Sequence, residues 1–144
     1  MERVVRVAVV LALGVDAVVH LRLADQMQLA APGGIGGGWL FRIQAAVALL
    51  AALYLLIRPS QSAYLIAGLA ALSALVPVLL YTYVNVPAIG PIPSMYDPFW
   101  TTPKLVSALA EGMGVALSVL GWWLLRGGPR GSGGSRPSSR GDPR

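Results

Sequence analysis

Apolar residues fill four long segments of this 144-residue chain, and short segments rich in polar residues, glycine or proline separate them. The apolar segments lie at about 4–23, 39–57, 62–84 and 104–125. A helix rises about 1.5 Å per residue, so about 20 apolar residues cross the ~30 Å hydrocarbon core of a bilayer. The pattern therefore predicts an all-α fold, a four-transmembrane-helix antiparallel bundle formed by one domain over residues 1–125.

The connections between these segments predict how the helices are arranged. Residues 31–38 read APGGIGGG, which favours a connection without helix. The link at 58–61 is so short that we expect the second and third helices to be antiparallel neighbours. The last connection contains five prolines, at positions 87, 91, 93, 98 and 103. We expect its polar and aromatic residues to form a stiff loop that caps the bundle: Tyr96, Asp97, Phe99 and Trp100.

Composition supports a membrane protein and limits its partners. Hydrophobic residues make up 56% of the chain and charged residues only 12%, whereas soluble proteins contain roughly 25% charged residues. The formal net charge of +5 does not indicate nucleic-acid binding, because five arginines and one aspartate of residues 126–144 carry most of it. That segment has no apolar residue to bury beyond position 125, so we predict a disordered basic cytoplasmic tail. The expected partners are the lipid bilayer and other membrane subunits or a second copy.

The distribution of arginines predicts the orientation of the bundle. Arg3, Arg6, Arg58 and the tail fall on one side of the membrane if the four segments cross it in turn. Cytoplasmic loops carry the excess of Lys and Arg. We therefore predict a multi-pass protein of the cell membrane with both termini in the cytoplasm. The chain has no cysteine, which excludes a disulfide or a thiolate metal site.

Small residues recur along the predicted helices with the spacing of one helical face. The fourth segment shows this best, and its stripe contains an acid among the small residues: Lys104, Ser107, Glu111, Gly114, Ser118 and Gly121. Helices in lipid pack through small residues because no hydrophobic force drives them together. We expect this stripe, and an alanine stripe in the third segment, to be buried in the bundle.

Ionisable and polar residues inside the apolar segments define a candidate site. A charged side chain at the bilayer centre costs about 2.5–3.5 kcal/mol on insertion scales, so it faces the bundle interior and pairs with a partner. Asp16 and His20 are four residues apart and share a helical face, and we place Glu111 at the same depth, about 10 Å below the outer surface. The spacing predicts one polar pocket that opens outward, lined by six residues: Asp16, His20, Gln44, Tyr81, Lys104 and Glu111.

Three interpretations of this cluster stay open at the level of sequence. In the first, Asp16 pairs with His20 or Arg22 and Glu111 with Lys104 or Arg42, and the cluster only fixes the register of the helices. In the second, the imidazole, carboxylates and phenol bind a quinone headgroup or a divalent metal in a redox component. In the third, the cluster belongs to a transport or proton pathway. No catalytic residue follows from the pattern.

Three strings of the sequence carry a resemblance to a known group of proteins. They are GVDAVVHLRLA, GWLFRIQAAVALLAALYLL, and GPIPSMYDPFW followed by PKLVSALAEG. Together they resemble a group of uncharacterised small four-span membrane proteins of high-GC bacteria. In outline the chain is also similar to DoxX-like proteins, four-helix membrane proteins of which some are subunits of quinone-linked oxidoreductases. The resemblance implies the same four-helix fold, and fold alone does not imply the chemistry.

The small size and short connections favour an accessory or interaction subunit of a membrane complex over an enzyme in its own right. The alternative is a quinone-linked or metal-assisted redox component whose site is formed by Asp16, His20 and Glu111. A small transporter is the second alternative. We expect any function to reside with the acids and the histidine, since the rest of the bundle is packing of Ala, Gly and Ser.

Overall fold

Four helices in sequence form the whole regular structure of residues 1–127, the part of the chain that the computed structural model describes. They are α1 (Glu2–Ala30), α2 (Gly37–Ile57), α3 (Gln61–Tyr83) and α4 (Thr102–Arg126). No β-strand forms in this part of the chain, where one isolated bridge joins Ile89 and Ile92. The predicted all-α four-helix fold is confirmed. The predicted tail lies outside the described residues from position 128 onward, and its first residue, Arg126, is the last residue of α4.

The helices form a closed ring. Each helix packs against the next one in the chain, and α4 packs against α1. Contacts are most extensive between α1 and α2, followed by α3 with α4 and α1 with α4. Helices α2 and α3 are in contact as predicted, although less closely than the other neighbouring pairs. All four helices are long and apolar enough to cross a membrane. The ring therefore brings α4 back against α1, and this contact creates the site described below.

Small residues line the interior and large apolar residues cover the exterior. The buried positions of α4 are Ser107, Glu111, Gly114, Ser118 and Gly121, which confirms the predicted stripe except at its first member, Lys104, which is only partly buried. The alanine stripe of α3 is buried as well, at positions 63, 67, 70 and 74. Most leucines, valines and isoleucines are instead exposed on the outer surface of the bundle. This inverted arrangement suits a lipid solvent, because lipid chains solvate large aliphatic side chains while small ones let the backbones approach.

The first helix is longer than its apolar segment predicts. The segment was expected to end at residue 23, whereas α1 continues for one and a half to two further turns to Ala30. Residues 24–30 include Asp25, Gln26 and Gln28, which are too polar for a hydrocarbon core but compatible with helix. The helix stops where Ala31 precedes Pro32, since the residue before a proline avoids the helical conformation. At 29 residues α1 is about 43 Å long.

The second helix begins within the glycine run that was predicted to be a connection. Gly37 and Gly38 are the first two residues of α2, so the predicted start at Trp39 is two residues late. A Cβ added to Gly38 would lie 2.4 Å from the carbonyl oxygen of Ala24, and one added to Gly37 would lie 2.8 Å from that of Met27. These glycines are therefore needed for close packing of α2 on α1 rather than for a turn.

The two longer connections, α1–α2 and α3–α4, lie at the same end of the bundle and touch each other. The backbone N–H of Ile35 donates to the carbonyl oxygen of Pro91 at 2.9 Å, which joins the α1–α2 connection to the α3–α4 connection. Gly34 lies beside this contact with a φ of 60°, and a Cβ there would lie 2.0 Å from the Pro91 oxygen. A glycine is required here for both its backbone conformation and its lack of a side chain.

Tyr64 is the largest fully buried side chain of residues 1–127, and it lies near the end of the bundle where α1 begins. Its ring occupies the space over Gly121 of α4, where an added Cβ would be 2.2 Å from the Tyr64 Cε1 atom. The hydroxyl donates to the Glu2 carboxylate at 3.0 Å, which satisfies the polar end of the ring. Tyr64 therefore ties α3 to both α1 and α4.

Replacing Gly121 by alanine is expected to destabilise the bundle. The new methyl group overlaps the buried Tyr64 ring, and overpacking of this kind costs about 1–3 kcal/mol. We expect a lower Tm in detergent micelles for Gly121→Ala. Gly112→Ala is the matched control, because a Cβ at Gly112 meets nothing within 4 Å. Equal melting temperatures for the two variants would contradict the packing described here.

Candidate functional site

Three ionisable side chains meet between α1 and α4. Asp16 and His20 come from α1, one turn apart, and Glu111 comes from the buried stripe of α4. One nitrogen or oxygen atom from each residue lies within 4.8 Å of the other two. Asp16 and Glu111 are each 1% exposed, and the His20 side chain is 12% exposed. We call these three residues the buried triad.

Asp16 and His20 form a close pair along one face of α1. The Nδ1 atom of His20 lies 2.7 Å from the Oδ1 atom of Asp16 and 3.0 Å from the Asp16 carbonyl oxygen. Both neighbours are acceptors, so Nδ1 carries a proton and donates it to the Asp16 carbonyl oxygen, whereas Oδ1 is close but forms no hydrogen bond of acceptable geometry. The ring also packs against Phe41 of α2, with ring centroids 4.8 Å apart. These contacts fix the orientation of the imidazole and leave Nε2 as its second functional atom.

Gln44 of α2 holds the second oxygen of the Asp16 carboxylate. Its Nε2 atom donates to Asp16 Oδ2 at 3.3 Å and to the carbonyl oxygen of Ala70 at 3.0 Å. Its Oε1 atom accepts at 3.1 Å from the Ser73 hydroxyl, which shares its one proton with the Ala70 carbonyl oxygen at 2.8 Å. The direction of the amide follows from the contacts of its NH₂ group, which faces two acceptors. Gln44 therefore donates a hydrogen bond that orients the Asp16 carboxylate, and it links α1, α2 and α3.

Glu111 is only half satisfied by hydrogen bonds. Its Oε1 atom accepts a bond of 2.6 Å from the hydroxyl of Ser107, one turn earlier on α4. Its Oε2 atom is buried and has no hydrogen-bond partner within residues 1–127. A buried polar atom without a partner costs about 1–3 kcal/mol, and more when it is charged. The free oxygen of Glu111 is thus the feature of the triad that needs an explanation.

Lysine and arginine residues do not neutralise the triad. Among the described residues, Arg42 pairs with Asp25 at 2.5 Å and Lys104 pairs with Asp97 at 3.3 Å. The register-fixing interpretation pairs Glu111 with Lys104 or Arg42, but neither cation bonds to Glu111. The two buried carboxyl groups therefore face each other with only the His20 imidazole as an ionisable partner.

The triad is more enclosed than the sequence predicts. Asp16 is the middle residue of α1, about 21 Å along the helix from Ala30, and Glu111 lies about 14 Å into α4. With both carboxyl groups 1% exposed, the predicted pocket opening outward is wrong. The triad is a closed cluster near mid-height of the bundle.

Two of the six predicted site residues bond elsewhere. The ammonium group of Lys104 donates to the Asp97 carbonyl oxygen, to the Asp97 carboxylate and to the Phe99 carbonyl oxygen. It also lies 5.7 Å from the centre of the Trp100 ring. Tyr81 accepts a backbone bond from the Asp97 N–H at 3.0 Å, and its phenol makes no hydrogen bond within residues 1–127. Lys104 and Tyr81 thus hold the last connection against α3 and α4.

The predicted capping loop is anchored by Asp97 rather than by its aromatic residues. Asp97 bonds to α3 through its N–H, to Lys104 of α4 through its carbonyl and carboxylate, and to the Phe99 N–H through Oδ1. The three aromatic side chains are exposed, at 44% for Tyr96, 73% for Phe99 and 42% for Trp100. They face outward from the bundle, as expected for rings at a membrane interface.

Sequence reasoning missed three residues that support the triad. Ser107 was assigned to the packing stripe, although its position one turn before Glu111 is a signal for a bond to that carboxyl group. Ser73 and Phe41 carry no comparable signal. They reach Gln44 and His20 only because the tertiary structure brings α3 and α2 beside them.

The triad presents the atoms of a cation-binding site. One imidazole nitrogen and two carboxyl groups converge in an apolar interior, and a buried oxygen of Glu111 has no donor. A proton shared between the carboxyl groups or a metal ion satisfies such an arrangement. Comparison with known proteins adds no further indication, because no family model, no curated protein and no solved structure matches the chain.

Replacing Lys104 by methionine is expected to loosen the last connection without disturbing the triad. The substitution removes three hydrogen bonds of the ammonium group, and bonds to a charged group contribute about 1.5–3 kcal/mol. We expect hydrogen exchange at the Asp97 and Phe99 amides to rise about tenfold or more, as measured by mass spectrometry of peptides covering residues 94–100.

The matched control is Arg22→Met, which removes an exposed cation from α1 at the same end of the bundle. Exchange in residues 94–100 should be unchanged in this variant. Unchanged exchange in Lys104→Met as well would refute the role given to the lysine.

Proposed function

We propose that this chain is a multi-pass protein of the cell membrane that binds a cation between α1 and α4, as a binding subunit of a membrane complex. The single observation that carries the proposal is the buried Oε2 atom of Glu111, which has no hydrogen-bond partner. This oxygen faces a second carboxyl group and an imidazole in the middle of an apolar bundle. A cation bound there would satisfy all three groups at once.

A purely structural role for the triad explains the contacts less well. Polar residues that only fix helix register form complete hydrogen bonds, because an unmet group in lipid is costly. The bond from Gln44 to Oδ2 of Asp16 fits that description, but Oε2 of Glu111 and Oδ1 of Asp16 have no hydrogen-bond partner. An unsatisfied acid retained at the centre of a bundle is typical of a functional site, where stability is given up for binding.

The charges at the two ends of the bundle support the proposed orientation. One end carries Arg3, Arg6, Arg58 and Arg126 against Glu2 alone. The other end carries three cations and two acids, and four of these five residues are paired as Arg42 with Asp25 and Lys104 with Asp97. Cytoplasmic ends of membrane proteins are enriched in Lys and Arg. We therefore place both ends of the described chain in the cytoplasm and the two longer connections outside.

The proposal joins two of the roles predicted from sequence. A 144-residue chain with short connections suits an accessory subunit, and the triad supplies the site that a metal-assisted redox component requires. The resemblance to DoxX-like proteins points to the same class of small membrane subunits. In either role the bound cation lies at the contact of α1 with α4, so its presence would be transmitted to the packing of those helices.

Replacing Glu111 by glutamine is expected to raise the stability of the cation-free protein. The amide is neutral and can donate from its NH₂ group to Asp16, so it removes both the unsatisfied oxygen and the repulsion between two acids. We expect Tm to rise by several degrees in detergent micelles that contain a chelator. A structural role for the carboxyl group predicts the opposite, a loss of folded protein.

Asp25→Asn is the matched control for this measurement. Its carboxyl group is 91% exposed and pairs with Arg42 at the outer end, and such exposed pairs contribute about 0–1 kcal/mol. Its Tm should therefore stay close to that of the unaltered chain. A fall in Tm for Glu111→Gln beside an unchanged control would remove the basis for a cation site.

The absence of cysteine makes the orientation directly testable. Ser94→Cys places a thiol in the exposed α3–α4 connection, and Ser62→Cys places one at the exposed start of α3. In intact cells we expect a membrane-impermeant maleimide to label the cysteine at position 94 only. Labelling at position 62 should require permeabilised membranes. The reverse pattern would place both termini outside.

A further inference from the structure

We infer that the cation bound by the buried triad is a divalent transition-metal ion, held by the carboxylates of Asp16 and Glu111 and one imidazole nitrogen of His20. This inference rests on the proposed cation site and names its ligand. It is drawn from three properties of the triad: its donor atoms, its charge and its supporting hydrogen bonds.

The donor atoms suit a particular class of metal. Imidazole nitrogen suits zinc, and carboxylate oxygen suits manganese. Calcium prefers six to eight oxygen ligands, and magnesium keeps several bound waters. The triad provides neither so many oxygen atoms nor access for water, because its carboxyl groups are 1% exposed. The lack of cysteine in the chain removes thiolate ligands and with them a preference for cuprous copper.

The charge of the triad matches a divalent ion. Asp16 and Glu111 contribute two negative charges as carboxylates, and neutral His20 contributes none. No lysine or arginine of residues 1–127 forms an ion pair with either acid, since the cations of the outer half pair with Asp25 and Asp97. A dication therefore leaves the cluster neutral, whereas a monovalent metal ion leaves a net negative charge in a medium that stabilises charge poorly.

The distances require a moderate adjustment for coordination. Metal–oxygen and metal–nitrogen bonds of about 2.0–2.2 Å place neighbouring ligands of a tetrahedral ion about 3.3–3.6 Å apart. One ligand atom of each triad residue already lies within 4.8 Å of the other two. The longest of these separations would have to shorten by up to roughly 1.5 Å, through rotation of the carboxylate side chains.

Hydrogen bonds from neighbouring residues hold the ligands in place. Gln44 donates to Oδ2 of Asp16 at 3.3 Å, and Ser107 donates to Oε1 of Glu111 at 2.6 Å. Each carboxylate thus has one oxygen that is fixed by a hydrogen bond. The other oxygen, which is Oδ1 in Asp16 and Oε2 in Glu111, has no hydrogen bond of acceptable geometry. Supporting donors of this kind are characteristic of metal-binding carboxylates.

The test uses the full chain, without a polyhistidine tag, in lipid nanodiscs after removal of metals by a chelator. Zinc and manganese ions are titrated separately, with calcium for comparison. Bound metal per chain is measured by mass spectrometry after desalting, and Tm is measured at each concentration. We expect one zinc or manganese ion per chain, a Tm raised by several degrees, and no rise with calcium.

Variants separate the triad from adventitious metal binding. Glu111→Gln and Asp16→Asn should each weaken zinc or manganese binding at least tenfold, whereas Asp25→Asn should bind as the unaltered chain does. Equal binding by Glu111→Gln would overturn the assignment of the triad. Because that variant is expected to be the more stable one without metal, its loss of binding cannot be attributed to unfolding.

The same experiment distinguishes this inference from the proposed function. If Glu111→Gln is stabilised without metal but the unaltered chain binds neither zinc nor manganese, the metal assignment is wrong and a proton is the cation. If the unaltered chain takes up no metal and Glu111→Gln is also less stable than it, both the metal and the cation site are refuted.

Discussion

Close approach of helix backbones through small residues is the constraint on which the rest of this structure depends. Gly38 of α2 lies against the Ala24 carbonyl of α1, and Gly121 of α4 lies under the Tyr64 ring of α3. Side chains larger than hydrogen at these positions would push the helices apart. In lipid such contacts supply the packing energy that burial of leucine supplies in water. The ring of four helices, and the contact of α4 with α1 that closes it, follow from this packing.

The buried triad is a consequence of that closure. Asp16 and Glu111 are 95 positions apart in the chain, and they meet because α1 and α4 are packed with their small-residue faces together. The same closeness excludes solvent from both carboxyl groups. A cation site at this point would couple the occupancy of the triad to the packing of two helices, so that binding of the cation would change how α1 and α4 pack.

The end of the bundle that carries the two longer connections is built separately from the triad. Asp97 and Lys104 connect the last loop to the ends of α3 and α4, and the Pro91 carbonyl connects it to the α1–α2 connection. The ion pairs at this end do not involve the buried acids. The spacing along α4 assigns Lys104 to the same face as Glu111, yet Lys104 bonds to the last loop. The reason is that a flexible four-carbon side chain near a helix end reaches the polar surface.

The sequence by itself determined the number of helices, the buried stripe of α4 and the inward position of Asp16, His20 and Glu111. These features depend on local composition and on the 3.6-residue period, which are legible in one chain. Helix ends were less accurate, because hydropathy marks where a membrane core ends and not where a helix ends. The glycines at positions 37 and 38 were misjudged because their role depends on a neighbouring helix.

Only the tertiary structure decided which polar residues meet and how deeply they lie. Gln44 bonds to Asp16, and Ser73 bonds to Gln44, because the ring places α2 between α1 and α3. Tyr81 and Lys104 share the predicted faces but bond to the last loop. Helical spacing fixes which face a residue occupies, and the packing of one helix on another fixes the partner it finds there. The unpartnered oxygen of Glu111 is evident only from the packing of the helices, and it is the feature that makes this buried acid part of a candidate site.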